Sequence, residues 1–390
     1  MNQKTSKVEK EFYLRCSYLT LSVLFDKEPK KLQGYDLIED QRHVLSSILD
    51  IAKEEKVEAI VIAGDLYDRS VPAVDAVELY NELMVDWNLK EKIPIFAISG
   101  NHDSSTRLSA GTPWFSYSNY FLRTQLAEAF EPVEFKNVQF FFLPYFEPIA
   151  ARLYFEDDNI RTIKQAVAKV IDKMQELFDS EKKQVLISHF FVMGSVKSDS
   201  ETKIEVGGLD SIPGELLTPF DYVALGHLHN QAALRQDNAR YSGSPLKFSL
   251  SEINQKKGVW IVDLTTGLEL NFREIEPLHD IEEITASFKE LLDPAFYQSV
   301  NRENYIYIYL TDRTIIPNMM NQLRQIYPRI LGIERANGRA EQTKRKRKVL
   351  EMKDPQKLAE AFFSEMTEEQ LTANQEKWLG ETLQEIMEME

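Results

Sequence analysis

The first two thirds of the chain alternate between segments with a helical spacing of apolar residues and short, continuously apolar segments. Residues 36–56 and 72–90 have the helical spacing, whereas 57–63 and 93–99 are short apolar runs. A short run of this kind predicts a strand that is buried on both faces of its sheet. The alternation therefore predicts β-α-β units and a layered α/β domain, whose functional loops follow the carboxyl ends of the strands.

The same alternation continues to about residue 276. Further strands are predicted at 138–143, 184–188 and 221–225, and a helix is predicted at 160–178. Two later apolar runs, separated by a short turn at 265–267, predict a hairpin that closes the domain.

The composition changes near Pro277, and a second, smaller unit is predicted to follow. It would contain a helix at 281–292, a strand at 305–310 and a helix at 315–327. These three elements predict an α+β unit over 277–338.

The remaining residues form a charged segment and then an amphipathic tail. The dense basic run 344–348 lies in a linker that we predict over 339–353. Beyond it, 354–390 has the apolar spacing of two helices, the second beginning with the capping-box pattern of 367–370. An apolar stripe of this kind packs on its own domain or docks on a partner, and a basic run contacts nucleic acid or is a solvated linker.

Side chains of the types that bind metal ions follow four of the predicted strands. They are Asp65, then Asn101, His102 and Asp103, then His189, and finally His227 and His229. A set that mixes carboxylate, amide and imidazole ligands suits Mn²⁺, Fe²⁺ or Zn²⁺ better than Mg²⁺ or Ca²⁺, which prefer oxygen ligands. By contrast, His43 lies on the first predicted helix and fits no such set.

Each of these groups has an ordinary structural interpretation when it is taken alone. Gly64-Asp65 suits a turn or a helix N-cap, and His189 suits a hydrogen-bonded histidine of the core. His227 and His229 lie on one side of an extended segment, which fits either a structural or a ligand role. Their joint occurrence at strand ends favours a common metal centre.

The chemistry that uses such a centre is phosphoester hydrolysis with two divalent cations, which acidify the attacking water and stabilise charge on the phosphoryl oxygens. Asp65 is the candidate bridging ligand and would hold the cations about 3.5–4 Å apart. His102 is the candidate catalytic acid or phosphate-orienting group. Asp103 is the candidate carboxylate that orients His102.

Composition narrows the class of protein. The net charge of −16 argues against a general binder of polyanions, although the basic run is compatible with a local nucleic-acid surface.

The single cysteine, Cys16, excludes an internal disulfide framework and predicts a reducing, cytoplasmic location. No apolar stretch approaches the ~20 residues that span a bilayer. The N-terminal lysines and the apolar stretch after Cys16 resemble a signal peptide only loosely, so we do not expect secretion.

With these motifs, the chain resembles the calcineurin-like metallophosphoesterase superfamily. Gly64-Asp65, 100–103, His189 and 226–229 correspond to its second to fifth signature motifs. The resemblance implies two β-sheets flanked by helices and a centre for two divalent metal ions. The ligands that it implies are Asp65, Asn101, His189, His227 and His229.

More narrowly, the chain resembles the SbcD nuclease subunits of bacterial SbcCD complexes. The likeness is found in 63–69, 100–108, 226–229 and 242–249, and it extends from about Lys30 to the end of the chain. It implies Mn²⁺-dependent cutting of double-stranded DNA ends and hairpins, by exonuclease and endonuclease action, in DNA replication, recombination and repair.

The narrower resemblance also implies domains and partners. Residues 30–276 would be the nuclease domain and 277–338 a capping domain. The helical pair at 354–390 would dock on an SbcC-type ATPase subunit, and ATP would act only through that subunit. Two copies of the chain would form a homodimer within a heterotetramer.

One family motif is missing from the sequence. The family begins with a strand ending in Asp-x-His, and counting back from Lys30 places these positions at Phe25 and Lys27. Residues 1–29 are therefore an atypical N-terminal segment, for which we hypothesise a frameshift or a mis-assigned start. The first metal site would lose two ligands, and we expect nuclease activity to be severely reduced.

Two other functions are compatible with the same residues. A small-molecule phosphodiesterase would use the same centre, although it would not need the capping unit, the basic run or the tail helices. A catalytically defective subunit that binds DNA ends or the ATPase would also keep four motifs while losing one.

Overall fold

A computed structural model describes residues 17–21, 32, 34–195 and 211–336, together with isolated positions between 371 and 382. The strands are β1 Ser17–Leu21, β2 Ala59–Ala63, β3 Ile95–Ile98, β4 Tyr120–Arg123, β5 Val133–Phe135, β6 Val138–Leu143, β7 Lys183–Ser188, β8 Phe191–Val192, β9 Ser211–Ile212, β10 Tyr222–Leu225, β11 Ala239–Tyr241, β12 Gly258–Asp263, β13 Glu269–Glu274, β14 Ile281–Ala286, β15 Tyr305–Leu310 and β16 Ile330–Arg335. The helices are α1 Ile38–Glu54, α2 Val74–Met84, α3 Ser105–Leu108, α4 Thr112–Phe115, α5 Pro148–Phe155, α6 Ile163–Gln175, α7 Phe288–Leu291, α8 Pro294–Tyr297 and α9 Met319–Arg324.

The described chain divides into two compact units, which meet in sequence between Ile281 and Glu282. The first unit contains two large sheets. A six-stranded sheet has the order β13-β12-β1-β2-β3-β4, and a five-stranded sheet has the order β11-β10-β7-β6-β5. Strands β1 to β4 are parallel to one another, as are β6, β7, β10 and β11.

The two sheets pack face to face through an apolar core. Residues that alternate along β2, β3, β6, β7 and β10 contribute to it, including Val61, Phe96, Phe140 and Ile187. Phe96 of the first sheet stacks on Phe140 of the second, with ring centroids 4.3 Å apart. This shared core explains why the strands are apolar on both faces, since the outer faces are covered as well.

Helices cover the outer faces of both sheets, as the helical spacing predicts. Helices α1 and α2 bury an apolar face against the six-stranded sheet, where Ile48 packs with Ile60 and Ile62. Helix α6 packs on the five-stranded sheet, and it begins with a capping box between Thr162 and Gln165. The result is a four-layered arrangement of helices, sheet, sheet and helices, which confirms the predicted fold class.

The atypical N-terminal segment contributes an interior strand. Strand β1 pairs in parallel with β2 and antiparallel with β12, and its last residue, Leu21, is the register partner of Ile62. The positions predicted for the missing Asp-x-His motif, Phe25 and Lys27, lie outside the described residues.

The second unit contains a three-stranded sheet in the order β14-β15-β16. The strand predicted at 305–310 is confirmed as β15, but the helix predicted at 281–292 is wrong in its first half. Residues 281–286 form β14, because Ile281, Ile284 and Ala286 are buried and extended pairing in the sheet overrides their helical spacing. Helix α7 then begins behind a capping box of Ser287 and Glu290.

Other predicted boundaries also shift. The helix predicted at 315–327 is shortened to α9, because Asn318 adopts the left-handed conformation with φ 55° immediately before it. The hairpin predicted at the end of the first unit is confirmed as antiparallel β12 and β13.

The basic linker 339–353 lies outside the described residues, as does most of the helical pair at 354–390. Among the residues that the structure describes, no helix is both long and apolar enough to cross a membrane.

The core between the sheets gives a prediction for stability. We expect Phe96→Ala to lower the free energy of unfolding by about 3–5 kcal/mol, because it empties a fully buried site between two sheets. Urea unfolding followed by circular dichroism measures the change. Tyr117→Ala is the control, because the Tyr117 side chain is 90% exposed and its loss should cost no more than about 0.5 kcal/mol. Equal losses in the two variants would contradict this packing.

Candidate metal centre

The site is formed where four parallel strands end at one edge of the two packed sheets. In the six-stranded sheet Ala63, the last residue of β2, is the register partner of Ile98, the last residue of β3. In the five-stranded sheet Ser188 of β7 is likewise the partner of Leu225 of β10. Within each sheet, the two loops that follow these residues therefore begin at the same level.

A buried hydrogen bond links the two sheets at this edge. His189 is fully buried, and its Nδ1 donates to the carbonyl oxygen of Ala63 across a distance of 2.7 Å. Because a carbonyl can only accept, the proton of the neutral imidazole lies on Nδ1 and the lone pair lies on Nε2. The backbone of β2 thereby selects which nitrogen of His189 faces the site.

Four of the five predicted ligands converge at this point. His189 Nε2 lies 3.1 Å from Asp65 Oδ2 and 3.0 Å from Asn101 Oδ1. His227 Nδ1 also lies 3.0 Å from Asn101 Oδ1. Ligand atoms of Asp65, His189 and His227 all lie within 4.8 Å of one another.

The chemistry of this donor set fits a divalent cation. When His189 is neutral, a carboxylate oxygen, an amide oxygen and the Nε2 lone pair face each other at hydrogen-bond distance, and all three are electron-rich acceptors. Their mutual repulsion is relieved by a proton on Nε2 or by a cation between them, and the mixture of oxygen and nitrogen ligand atoms suits Mn²⁺, Fe²⁺ or Zn²⁺. The structure therefore supports a metal centre of Asp65, Asn101, His189 and His227.

The electrostatics of the centre are dominated by Asp65. Burial raises the pKa of its carboxyl group, but the charges and hydrogen bonds of the nearby histidines, above all His189, hold that pKa well below its ordinary value. Conversely, burial lowers the pKa of His189, but the charge of Asp65 and the hydrogen bonds to Asp65 and Ala63 raise it overall. An ionised Asp65 is the state that binds a cation.

Asp103 has a different position from the one we expected. Its Oδ2 accepts hydrogen bonds from the backbone N–H groups of Leu66 at 3.0 Å and Gly100 at 2.8 Å, and its Oδ1 accepts from Tyr67 at 2.8 Å. These bonds join the loop after β2 to the loop after β3. Burial and the charge of Asp65 raise the pKa of Asp103 to about 6, against the effect of the three donors.

The group that contacts the His102 ring is therefore a backbone carbonyl and not the expected Asp103 carboxylate. His102 Nδ1 donates to the carbonyl oxygen of Asp68 at 2.8 Å. The backbone N–H of His102 also donates to Asp65 Oδ1 at 3.2 Å, which places the residue beside the centre. Our interpretation of Asp103 as the group that orients His102 is corrected: Asp103 organises the two loops that carry Asp65, Asn101 and His102.

His229 is the predicted ligand that the structure does not place in the cluster. It is buried, and its Nδ1 donates to Glu252 Oε1 at 3.2 Å. The other oxygen of Glu252 accepts from Lys257 Nζ at 2.6 Å. Burial raises the pKa of Glu252, but hydrogen bonds and charges of His229 and Lys257 lower it to about 2.

Glu252 and Lys257 were not predicted as site residues from the sequence. Glu252 ends a short 3-10 turn, Leu250–Glu252, and Lys257 directly precedes β12. Both lie in a polar segment between predicted elements, where charged residues are usually exposed. The only signal available was their closeness to the motif at 242–249, which carries the narrower family resemblance.

The backbone of the centre is strained and tightly packed. Asp65 and His227 adopt positive φ angles of 50° and 90°, which are uncommon for residues other than glycine and are found at functional sites. Gly226 packs so closely that a Cβ would overlap the Ala63 carbonyl oxygen and His189 Nδ1. The glycine therefore permits the hydrogen bond that orients His189.

A candidate metal centre of this kind at the carboxyl ends of two packed sheets is typical of metal-dependent phosphoesterases. A family model described as calcineurin-like phosphoesterase matches residues 36–231, and one described as type 5 capsule protein repressor C-terminal domain matches residues 277–367. A relative from Staphylococcus epidermidis, named as the D subunit of the nuclease SbcCD, is 35% identical over 364 residues, which are 93% of this chain and 96% of the relative. The chain therefore belongs to the calcineurin-like phosphoesterases and, within them, to the family of SbcCD nuclease D subunits.

A solved structure of a dimetal phosphatase from Danio rerio is also similar. It is 13% identical, with a TM-score of 0.43, and the match covers 67% of this chain and 98% of the phosphatase chain. The family membership confirms the predicted family and the prediction of a metal-dependent phosphodiester hydrolase of the nuclease class.

The close packing of Gly226 gives a prediction for metal binding. We expect Gly226→Ala to weaken Mn²⁺ binding by about 10–100-fold, because the added Cβ would displace the carbonyl that orients His189. Isothermal titration calorimetry measures the affinity. Gly267→Ala is the control, since a Cβ at Gly267 has no atom within 4 Å. Unchanged Mn²⁺ binding by a folded Gly226→Ala variant would contradict the role of this contact.

Proposed function

We propose that the chain is a metal-dependent DNA nuclease subunit of an SbcCD-type complex, and that it acts on double-stranded DNA ends and hairpins in replication, recombination and repair. The observation that carries the proposal is the convergence of Asp65, Asn101, His189 and His227 in a member of the SbcCD nuclease D family. Exonuclease and endonuclease action on these substrates is a proposal that rests on the family resemblance.

The proposed metal ligands are Asp65, Asn101, His189, His227 and His229, and the preferred ion is Mn²⁺. When bound, such ions acidify water and stabilise charge on the phosphoryl oxygens. Contacts within the protein orient two of these side chains, since Asp65 Oδ1 accepts from the His102 backbone N–H and His227 Nδ1 lies 3.0 Å from Asn101 Oδ1. This preorganisation supports a catalytic role for the centre.

His102 is the proposed catalytic acid. The Asp68 carbonyl holds its Nδ1, so that Nε2 is the ring nitrogen that delivers a proton to the leaving oxygen. Asp103 belongs to the catalytic loop as well, and we propose that its role is to hold the two loops in register through backbone N–H groups.

The missing Asp-x-His motif supports a second candidate function, a catalytically defective subunit that binds DNA ends or the ATPase. No histidine precedes His43 in this chain, so the first metal site lacks a counterpart of that ligand pair. We therefore propose fewer than two tightly bound ions per chain and severely reduced cleavage. The small-molecule phosphodiesterase is the less favoured alternative, because the chain also carries a folded second unit.

The proposed partners are an SbcC-type ATPase subunit and a second copy of this chain, in a cytoplasmic heterotetramer on which ATP acts only through the ATPase subunit. The proposed domains are the nuclease domain 30–276, the capping domain 277–338, the linker 339–353 and the docking helices 354–390. Exposed aromatic side chains on the first unit support the homodimer, since Trp114 is 74% and Tyr117 90% exposed.

A hybrid protein tests the nuclease proposal. We expect the native chain with Mn²⁺ to cut linear duplex DNA weakly, and a hybrid whose residues 1–29 are replaced by a family strand ending in Asp-x-His to cut it at least about 100-fold faster. His102→Gln in the hybrid should lower the rate by about 10²–10⁴-fold. The rates are measured on end-labelled duplex and hairpin DNA, and bound metal is counted by mass spectrometry.

The same assay separates the alternatives. A hybrid that hydrolyses a nitrophenyl phosphodiester but leaves duplex DNA intact would favour the small-molecule phosphodiesterase. A hybrid that binds two ions yet cuts neither substrate would favour the non-catalytic subunit. Near-normal DNA cleavage by the native chain would contradict the proposed impairment.

The tail tests the proposed partner. We expect deletion of 350–390 to abolish binding to the ATPase subunit, because the apolar stripe of this segment is the proposed docking surface. Size-exclusion chromatography with the purified ATPase subunit measures binding, and circular dichroism checks that the truncated chain stays folded. Replacement of the basic run 344–348 by neutral residues is the matched control and should leave this binding unchanged. Full binding by the truncated chain would contradict the proposal.

A further inference from the structure

Glu252 occupies an unusual position beside His229. It is fully buried, although glutamate is rarely found inside a protein without a partner. One carboxylate oxygen accepts the Nδ1 proton of His229 at 3.2 Å, and the other accepts from Lys257 Nζ at 2.6 Å. The carboxylate therefore bridges an imidazole and an ammonium group.

Lys257 ties this carboxylate to the strand-end loop. Its Nζ also donates to the carbonyl oxygen of His229 at 2.9 Å and to Ser244 Oγ at 2.9 Å. The His229 ring is thus held through Glu252, and the His229 backbone is held directly by Lys257. Both the position and the rotation of the imidazole are fixed by one buried network.

A buried ion pair of this kind is not explained by stability alone. Removing two charges from water is costly, and replacing a buried pair by apolar residues is often neutral or stabilising. A buried pair that contacts a histidine at the end of a site-forming strand suggests a function in orienting that histidine. Carboxylates that hold the second ring nitrogen of a metal-binding histidine have this effect in many proteins.

We propose that Glu252 is the positioning residue of His229, and that it selects the tautomer in which Nδ1 carries the proton and Nε2 offers its lone pair to a divalent cation. This inference rests on the proposed metal-binding function of His229. His189 is oriented in the same way, but there the backbone carbonyl of Ala63 accepts the Nδ1 proton. A backbone carbonyl would thus orient His189, and a side-chain carboxylate would orient His229.

Nitrogen NMR of the full chain with labelled histidine tests the proposal, because the ring nitrogen shifts report the tautomer directly. Without added metal, His229 should show a protonated Nδ1 and an unprotonated Nε2. Added Zn²⁺ alone should shift the Nε2 resonances of both His189 and His229. The two residues are assigned by their absence in His189→Gln and His229→Gln.

Glu252→Gln should convert His229 to a mixture of tautomers and raise the Zn²⁺ concentration needed to shift its Nε2 by about 10–100-fold, while His189 still responds. Glu274→Gln, which removes a carboxylate that pairs with Lys256 on the surface, is the matched control and should change neither resonance. Glu252→Asp keeps the charge and should restore part of the Nδ1-protonated form. If Glu252→Gln does not fold, the wild-type tautomer and the Glu252→Asp variant decide the question.

The outcomes separate this inference from the function on which it rests. A His189 resonance that does not respond to Zn²⁺ would overturn the metal centre itself. A responding His189, with an Nε2-protonated His229 in the wild type or an unchanged His229 in Glu252→Gln, would overturn only the role of Glu252.

Discussion

The hydrogen bond between His189 and the Ala63 carbonyl is the constraint on which the site depends. It joins the last residue of β2 in one sheet to the residue after β7 in the other, and it is fully buried. A backbone hydrogen bond from the Tyr145 N–H to the Ser99 carbonyl oxygen at 3.1 Å also joins the two sheets at this edge, whereas the apolar packing between them is not directional. The bond from His189 therefore helps to fix the positions of the candidate metal ligands at the ends of the strands.

Several other features follow from this constraint. Gly226 has no side chain because the carbonyl and the imidazole occupy that space, and Gly64 is similarly confined by the His189 ring. The surrounding fold also holds the Asp65 carboxylate at 3.1 Å and the Asn101 amide oxygen at 3.0 Å from His189 Nε2. The free energy of the folded scaffold thus maintains an arrangement that these polar groups would not adopt alone.

Much of the fold and of the candidate site could be predicted from the sequence, because the signals are local. Apolar runs identify the strands, and the residues directly after them are the candidate ligands at the strand ends. The first half of 281–292 was mispredicted because apolar spacing there suits a helix or a strand, and pairing with β15 decides it. The contacts of Asp103 and of Glu252 could not be predicted, since they join residues that only the tertiary fold brings together.

Strand β1 shows that the position of a strand in a sheet need not depend on particular side chains. Its place between β2 and β12 depends on backbone N–H and C=O groups, which every residue except proline supplies in full. A candidate metal ligand at the same edge, such as Asp65 after β2, depends instead on its particular side chain. An altered sequence can therefore complete the sheet while it removes the chemistry, so selection for folding would not by itself preserve catalysis. The pairing that completes the sheet and the side chains that could bind a metal ion at its edge are therefore separable properties of the sequence.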